Sequence, residues 1–503
     1  MSGRVFLVGA GPGDPGLITL RGQRCLAAAD VVVHDDLVPS RLLEHVRPGA
    51  EVVPVGGRHD TARLTQAAID ALLIEHARAG RVVVRLKNGD PFLFGRGAEE
   101  AAALRQAGVA FEVVPGVTSA IAVPAYAGIP VTHRDHASLV TIVTGHSACT
   151  DGPPALPWDA LARQGGTLVF VMGMRTLEAI LSALVAHGLD PATPAAAIHR
   201  GTTAAQATVI ATTGTLAARV RAAGIGAPAV LVVGAVVGLH EHVRWVEERP
   251  LFGRRIVITR PRAQAGSLAQ RLEDQGAETI LFPTIAIAPP ADAAALDRAV
   301  ASAGGYDWIV FTSVNGVRAF LDRLAALGRD VRELAGVRLA AIGPETAAEL
   351  ERHLLRPAVV PATYVAEGLL AALAGEDLRD RRVLLPRAAG ARAILPETLA
   401  ARGARVDEVI AYRAVVPPEI DAGAMQAALA AGTIDAVTFT SSSTVRNFVQ
   451  LVGADLLCGE RPVVACIGPV TAATARAAGL RVAVEAPTHT AAVLAEALAT
   501  HFR

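Results

Sequence analysis

The first stretch whose residue types could do chemistry is the turn GAGPGDPG (Gly9 to Gly16), placed directly after the apolar run VFLV. Glycines after a strand can bring backbone N–H groups against a phosphate, and G-x-G-x-x-G is the dinucleotide form of that device. Here the sixth position is Asp14, and prolines stand at 12 and 15. Proline bars the immediate helix whose N-terminus would hold a pyrophosphate, so the turn reads against a nicotinamide dinucleotide. Hydroxyl-bearing turns lie further on, in FTS at 311–313 and again at 439–441. No Ser-His-Asp order accompanies them, which leaves a hydrolase without support. Cys25, Cys149, Cys458 and Cys466 lie far apart and show no zinc-ligand spacing. No metal site is expected, and all four are expected to be reduced core residues.

These residues must be positioned by something, and the patterning says what. The chain has 503 residues, enough for several domains. Short Val/Ile/Leu runs alternate with longer Ala/Leu/Arg stretches of helical period, the pattern of parallel-sheet α/β domains. In the first half the strands read VFLVGAG, DVVVHD, RVVVRL, LVTIVTG, TLVFVMG and AVLVVGA, and TQAAIDALLIEHARAG is a helix that stops at glycine. The uncharged run from Ala222 to Leu239 is long enough to span a bilayer, but its glycines and its AVLVVGAVV centre read as a buried strand. A seam falls at Arg244 to Arg255, where charge density jumps before the strand IVITRP. The second half repeats itself: DWIVFTSVNGVRAF (307–320) returns as DAVTFTSSSTVRNF (435–448), and AAIGPETAAEL (340–350) as ACIGPVTAATA (465–475). One strand–turn–helix–strand–turn–helix unit is used twice, which predicts two similar α/β lobes with a ligand cleft between them.

Charge excludes some partners. The 47 basic and 47 acidic residues balance, so neither nucleic acid nor an anionic membrane surface is an expected partner. One of the 47 basic residues, Lys87, is lysine and the other 46 are arginine. A GC-rich genome accounts for that bias. The opening MSGRVFLVGAG has no basic n-region or cleavage site, so a cytoplasmic protein is expected.

Read in order, GAGPGDPGLITLRG (9–22), HDDLV (34–38), RLKNGDPFLFGRGAEE (85–100), VVPGVTSA (113–120), GIPVTHRD (128–135) and VFVMG (169–173) resemble the tetrapyrrole methylases, most closely uroporphyrinogen-III C-methyltransferase, over residues 3–245. The resemblance implies a homodimer whose two α/β lobes (about 1–130 and 131–245) hold S-adenosylmethionine between them. Pro12, Asn88, Gly89, Asp90, Leu93, Thr118, Ser119, Met172 and Gly201 match positions that line its pocket; singly, each reads better as an ordinary turn or core residue, and in register they read as the site. The acceptor would be a cyclic tetrapyrrole fringed by eight carboxylates, for which arginine's planar fork is suited. Arg96, Glu99 and Arg134 match substrate contacts, although Arg96 and Glu99, as i, i+3 neighbours, could form only a surface ion pair. Asp35 matches the proposed base, and Arg96 is carried as a second catalytic candidate; Asp36 is a rival to Asp35. Some members place a proton-donating lysine where this chain has Gly57, followed by Arg58.

After a linker at 246–253, residues 254–503 are similar to uroporphyrinogen-III synthase, through GRRIVITRP, FTSVNGV, AAIGPETA, VIAYRAV, FTSSSTV and ACIGPVTA. The overall expectation is α/β: a two-lobed tetrapyrrole methylase fold followed by a two-lobed synthase-like fold. The synthase lobes would be 254–288 with 418–503, and 289–417, joined at the proline pairs 289–290 and 417–418. By this resemblance Tyr412 helps water leave hydroxymethylbilane, and Thr312, Ser313, Ser441 and Thr471 sit at turns facing the cleft. Helix capping would explain the Ser/Thr residues equally well. The implied activity is cyclisation of hydroxymethylbilane to uroporphyrinogen III and its double methylation to precorrin-2. A methylase fused to a non-catalytic tetrapyrrole-binding module, and a methylase for another ring position, are the alternatives.

Overall fold

The computed structural model describes residues 3–56, 64–146, 155–417 and 420–503. The chain divides into two compact units, 1–255 with 272–278 and 499–503, and 256–271 with 279–498. Gly57, Arg58 and Cys149, singled out above, and Pro418 lie outside the described residues.

Alternating apolar residues build the first sheet, from β1 (Arg4–Gly9), β2 (Val31–His34), β3 (Glu51–Pro54), β4 (Val82–Lys87) and β5 (Ala110–Val114). Its order is β3-β2-β4-β1-β5, and every pair is parallel. Both faces are buried: Val5, Leu7, Val31, Val33 and Val83 pack on one side, and Val8, Val32, Val84 and Leu86 on the other. Such two-sided burial explains the continuous valine runs. Helices α1 (Leu20–Ala28), α2 (Gln66–Arg78), α3 (Gly97–Gln106) and α4 (Ser119–Tyr126) follow successive strands or turns. α2 matches the expected helix, with Thr65 capping it through the Ala68 N–H.

The second sheet, β6 (Val140–Thr144), β7 (Thr167–Val171), β8 (Pro194–His199), β9 (Ala207–Thr212) and β10 (Ala229–Val233), has the order β6-β7-β10-β8-β9. It corrects the expectation of parallel sheets. Only β6 and β7 run parallel, while β10 pairs antiparallel with β7 and β8, and β8 with β9. A parallel return needs a crossover of a dozen or more residues, and the link from His199 to Ala207 is too short for one. The run around Ala229–Val233 is indeed a buried strand, and among the described residues no helix is long and apolar enough to cross a membrane.

The second unit uses β11 (Arg255–Ile258), β12 (Glu278–Leu281), β13 (Ala286–Ala288), β14 (Trp308–Phe311), β15 (Arg338–Ala341), β16 (Arg382–Ala388), β17 (Arg405–Val415), β18 (Ala436–Phe439), β19 (Val463–Cys466) and β20 (Val482–Glu485). They form two sheets, β12-β11-β18-β19-β20 and β13-β17-β16-β14-β15. The internal repeat gives each sheet a parallel pair of neighbouring strands: β14 pairs with β15, and β18 with β19. The following helices start alike, with Ser313 and Ser441 as side-chain caps and Gly343-Pro344 and Gly468-Pro469 at the other two starts. The chain joins the second of these sheets at Ala286, where β13 pairs antiparallel with β17. That point lies upstream of the proline pair at 289–290. Cys25 and Cys466 are buried, but Cys458 is exposed, contrary to the core placement expected for it. It follows a short turn of helix at 455–457, where only Leu457 is buried.

Candidate active sites

In a parallel sheet the carboxyl ends of the strands leave a ligand crevice where the connections diverge. The ends of β1, β4 and β5 carry Gly9–Pro12, Asn88–Asp90 and Gly116–Ser119 in this chain. The three turns meet backbone to backbone. Gly11 and Gly89 form a bridge, with the Gly89 N–H donating to Gly11 O at 2.8 Å. A Cβ on Gly9 would lie 2.5 Å from Gly116 Cα and 2.6 Å from Gly89 O, so no side chain fits there. Asp90 ties the turns together: one oxygen accepts from the N–H groups of Phe92 (2.8 Å) and Leu93 (3.1 Å), the other from Gly116 (3.0 Å). Thr118 caps α4, of which Ser119 is the first residue. Leu93 packs on the core of the second sheet.

The second sheet brings its own turn to this edge. Asp14 N–H donates to Thr202 Oγ1 at 3.1 Å, and Tyr126 OH donates to Asp14 at 2.6 Å. Pro12–Asp14 therefore lie beside Gly201–Thr202. Met172, at the end of β7, is half exposed with a left-handed φ of 58°, a strained backbone that its surroundings must hold. Asn88 Oδ1 is buried without a hydrogen-bond partner. Buried orphan acceptors are costly and point to a missing donor.

Asp35 ends β2 beside this group. Arg85 donates to one oxygen at 2.5 Å and the Asn88 N–H to the other at 3.2 Å. Burial alone would raise the carboxyl, but the charges of Arg85 and Lys87 and these hydrogen bonds outweigh it and hold Asp35 below the usual carboxylate range. Asp36 turns instead against Gly56, where an added Cβ would overlap its carboxylate. Arg96 and Glu99 pair with each other, Nη2 to Oε2 at 2.6 Å, and both are exposed. Arg134 is exposed in the turn from His133 to Ala137.

In the second unit, Tyr412 on β17 is buried and its hydroxyl lies 2.9 Å from Ser313 Oγ. Ser313 also accepts from the Gly316 N–H at 3.0 Å, so capping and contact with Tyr412 occur together. Tyr412 borders a cavity of about 610 Å³ whose wall includes Gln264, Ile287, Asn315, Arg318 and Pro417. Gln264 Nε2 donates to Asn315 Oδ1 at 2.9 Å, joining the helices that follow β11 and β14. Thr312 is half buried next to Ser313. Ser441 lies on the other sheet's repeat, in a capping box with Thr444. Thr471 departs from its expected place at a turn. It is a buried residue within the helix Pro469–Ala477, because Gly468-Pro469 already starts the helix.

Comparison with known proteins settles the lineage. The family described as Tetrapyrrole (Corrin/Porphyrin) Methylases matches residues 4–217, and Uroporphyrinogen-III synthase HemD matches 266–496. A protein named Porphyrin biosynthesis protein HemD, from Ruminiclostridium josui, is 37% identical over 95% of this chain and 94% of its own length. The chain is a tetrapyrrole methylase joined to a uroporphyrinogen-III synthase. The Uroporphyrinogen-III C-methyltransferase of Bacillus subtilis is 39% identical over 70% of this chain and 72% of its own. A protein of Methanosarcina barkeri named S-adenosyl-L-methionine-dependent uroporphyrinogen III methyltransferase is 47% identical over 48% of this chain and 94% of its own.

Within the methylase half, Pro12, Asn88, Gly89, Asp90, Leu93, Thr118, Ser119 and Gly201 gather around one edge, with Asp35 beside them. Arg96, Glu99 and Arg134 stay on the exposed surface. Sequence reasoning missed Arg85 and Glu100, both buried, and assigned Lys87 no part in the site. An arginine and a lysine two apart inside a valine strand were the available signal, since a buried strand rarely carries two charges on one face. In the synthase half it missed Gln264 and Asn315, which meet on the wall of the cavity beside Tyr412.

Proposed function

We propose that the synthase half cyclises hydroxymethylbilane to uroporphyrinogen III, and that the methylase half transfers two methyl groups to that product from S-adenosylmethionine, giving precorrin-2. The single observation that carries the donor assignment is the unpaired Asn88 Oδ1 within a cradle of side-chain-free backbone at Gly9, Gly89 and Gly116. A donor with an amino-acid tail and an adenine brings N–H groups to such an acceptor and needs that close backbone approach. S-adenosylmethionine supplies an electrophilic methyl group when bound. Asp90 fixes the turns against one another, Leu93 and Met172 furnish apolar wall, and Thr118 and Ser119 offer hydroxyls at the start of α4. Arg96, Glu99 and Arg134 meet the carboxylate fringe of the macrocycle from the exposed rim. The attacking pyrrole carbon forms a C–C bond as the C–S bond breaks, and the methylated macrocycle then gives its proton to an oxygen of Asp35. Fixing donor and acceptor in line contributes several kcal/mol, on the order of 7–11 for an ideal arrangement.

In the synthase half, Tyr412, oriented by Ser313, donates its proton to the departing hydroxyl of the bilane, which leaves as water. Thr312 and Ser441 act at the strand-to-helix turns of the two repeats, and the cavity beside Tyr412 steers the last ring to its inverted closure. The working division is 1–245 for the methylase and 254–503 for the synthase, in a cytoplasmic homodimer built through the methylase half.

Anaerobic incubation of the whole chain with hydroxymethylbilane and S-adenosylmethionine tests this, with products identified by absorbance and mass. A doubly methylated macrocycle of type III side-chain order, made without a helper enzyme, is the expected result. Unmethylated type I macrocycle alone overturns it. Methylation only when uroporphyrinogen III is supplied directly makes the second half a binding module.

A further inference from the structure

Lys87 is the chain's single lysine among 46 arginines, and it is one of the most buried charges in it, at 2% exposure. Val83, Arg85 and Lys87 share one face of β4, and the polar end of that face meets Glu100 of α3. Glu100 is wholly buried. One of its oxygens accepts from Lys87 Nζ (2.9 Å), Arg85 Nε (3.1 Å) and Gln66 Nε2 (3.2 Å). Arg85 reaches Asp35 through Nη2, while its Nη1 donates to the backbone carbonyls of Val33 and Leu86. Two anions, Asp35 and Glu100, thus stand against two cations, Arg85 and Lys87, and the cluster is neutral. Without Lys87 it would carry one excess negative charge in a buried place.

We propose that Lys87 is a positioning residue for methyl transfer: through Glu100 and Arg85 it supplies the buried positive charge that keeps the Asp35 carboxylate ionised while a macrocycle bearing eight carboxylates is bound. This rests on the reading of Asp35 as the proton acceptor. A carboxylate facing so many others is driven towards its neutral form, in which it can accept no proton. The groups that oppose this from the described elements around Asp35 are Arg85, Lys87 and the Asn88 N–H on or after β4. Burial works against them; Glu100 on α3 draws on the same Arg85 and Lys87, Asp36 is next along the chain, and the His34 ring is held on the Asp35 carbonyl. Lys87 does not touch the crevice and takes no proton from the substrate. A compact ammonium fits the space beside Glu100, where the broader guanidinium of Arg85 already occupies the same oxygen.

The test is the acid limb of kcat for methylation of uroporphyrinogen III, which reports the substrate-bound enzyme. Lys87→Met is expected to raise that limb by roughly one to two pH units. Glu100→Gln moves it the opposite way. The double variant Lys87→Met/Glu100→Gln, neutral like the wild type and free of a stranded buried carboxylate, returns it close to the original position. A merely structural lysine would lower kcat or stability without moving the limb, and an unmoved limb in folded Lys87→Met or in folded Glu100→Gln overturns the proposal. Asp35→Asn separates the two readings. Lost methylation with S-adenosylhomocysteine binding intact keeps Asp35 as acceptor, whereas retained methylation removes that reading and this one with it. A direct check uses [ε-13C]lysine, which places a single resonance in the protein. Lys87 is expected to remain an ammonium at pH 7, and an amine signal there refutes the charge assignment.

Discussion

Asp90→Asn is the sharpest perturbation of the donor site, because it keeps the shape of the side chain and changes one contact. The oxygen that accepts from Phe92 and Leu93 survives as the amide oxygen. The other oxygen, 3.0 Å from the Gly116 N–H, becomes an NH2 group facing a second donor. A hydrogen bond to a charged group contributes about 1.5–3 kcal/mol, and here it is replaced by a donor–donor contact. Since Gly9 and Gly116 pack against each other and against Gly89 O with no room for a side chain on either, the Gly116 turn has to move away as a unit. If the whole loss falls on donor binding, the Kd for S-adenosylhomocysteine rises roughly ten- to hundredfold. If part falls on the unliganded fold, the methylase half melts several degrees lower, at roughly 2–4 °C per kcal/mol for a unit of this size. Isothermal calorimetry and a melting curve on the same sample separate the shares. Binding within threefold of wild type together with an unchanged melting temperature would refute the claim that Asp90 holds the three turns in register.

Tyr412→Phe removes the hydroxyl 2.9 Å from Ser313 Oγ. It is expected to cost about 0.5–1.5 kcal/mol of stability and to slow hydroxymethylbilane conversion at least tenfold, while methylation of supplied uroporphyrinogen III is unchanged; an assay with each substrate in turn reads this. Burial pushes the Cys466 thiol up to about 12, with smaller opposed contributions from Arg476 and Glu485. In a Cys149→Ala background, a thiol reagent at pH 8 should therefore label exposed Cys458 promptly and reach Cys25 and Cys466 only on unfolding. Because the folded-state pKa of Asp35 is depressed, its stabilising contribution is present above the unfolded carboxyl value and is lost as pH falls through the folded one. Asp35→Asn should flatten the acid end of the stability curve, measured by circular dichroism between neutral pH and pH 2.

Much of this protein is legible in one dimension. Valine runs such as VVVH and VVVRL identify themselves as two-sided strands, because hydrophobic burial acts on each residue wherever its partners come from. The repeated FTS and IGP segments announce a duplicated unit, since a serine cap and a Gly-Pro helix start are set by neighbours a few positions away. The family motifs likewise carry most of the edge where the turns after β1, β4 and β5 meet, with no room for a Cβ at Gly9 or Gly116. Strands β3, β5, β8 and β9 were not legible. β8 reads PAAAIH, alanine-rich and helix-favouring, yet Ala195, Ala196 and Ala197 are fully buried because two neighbouring strands enclose them.

The antiparallel order of the second sheet is likewise a matter of connection length and strand partners, which no single run encodes. The same holds for the charges. Composition shows one lysine and many arginines, and spacing shows Arg85 and Lys87 on one face of a strand. Neither says that Glu100, on a later helix, arrives to accept from both, or that Arg85 turns Nη2 to Asp35. Local types determine which elements form and which residues can bear chemistry. Only the tertiary structure brings these four charges together from distant parts of the chain, three of them buried and Asp35 partly exposed, and at that proximity the ionisation of each depends on the others.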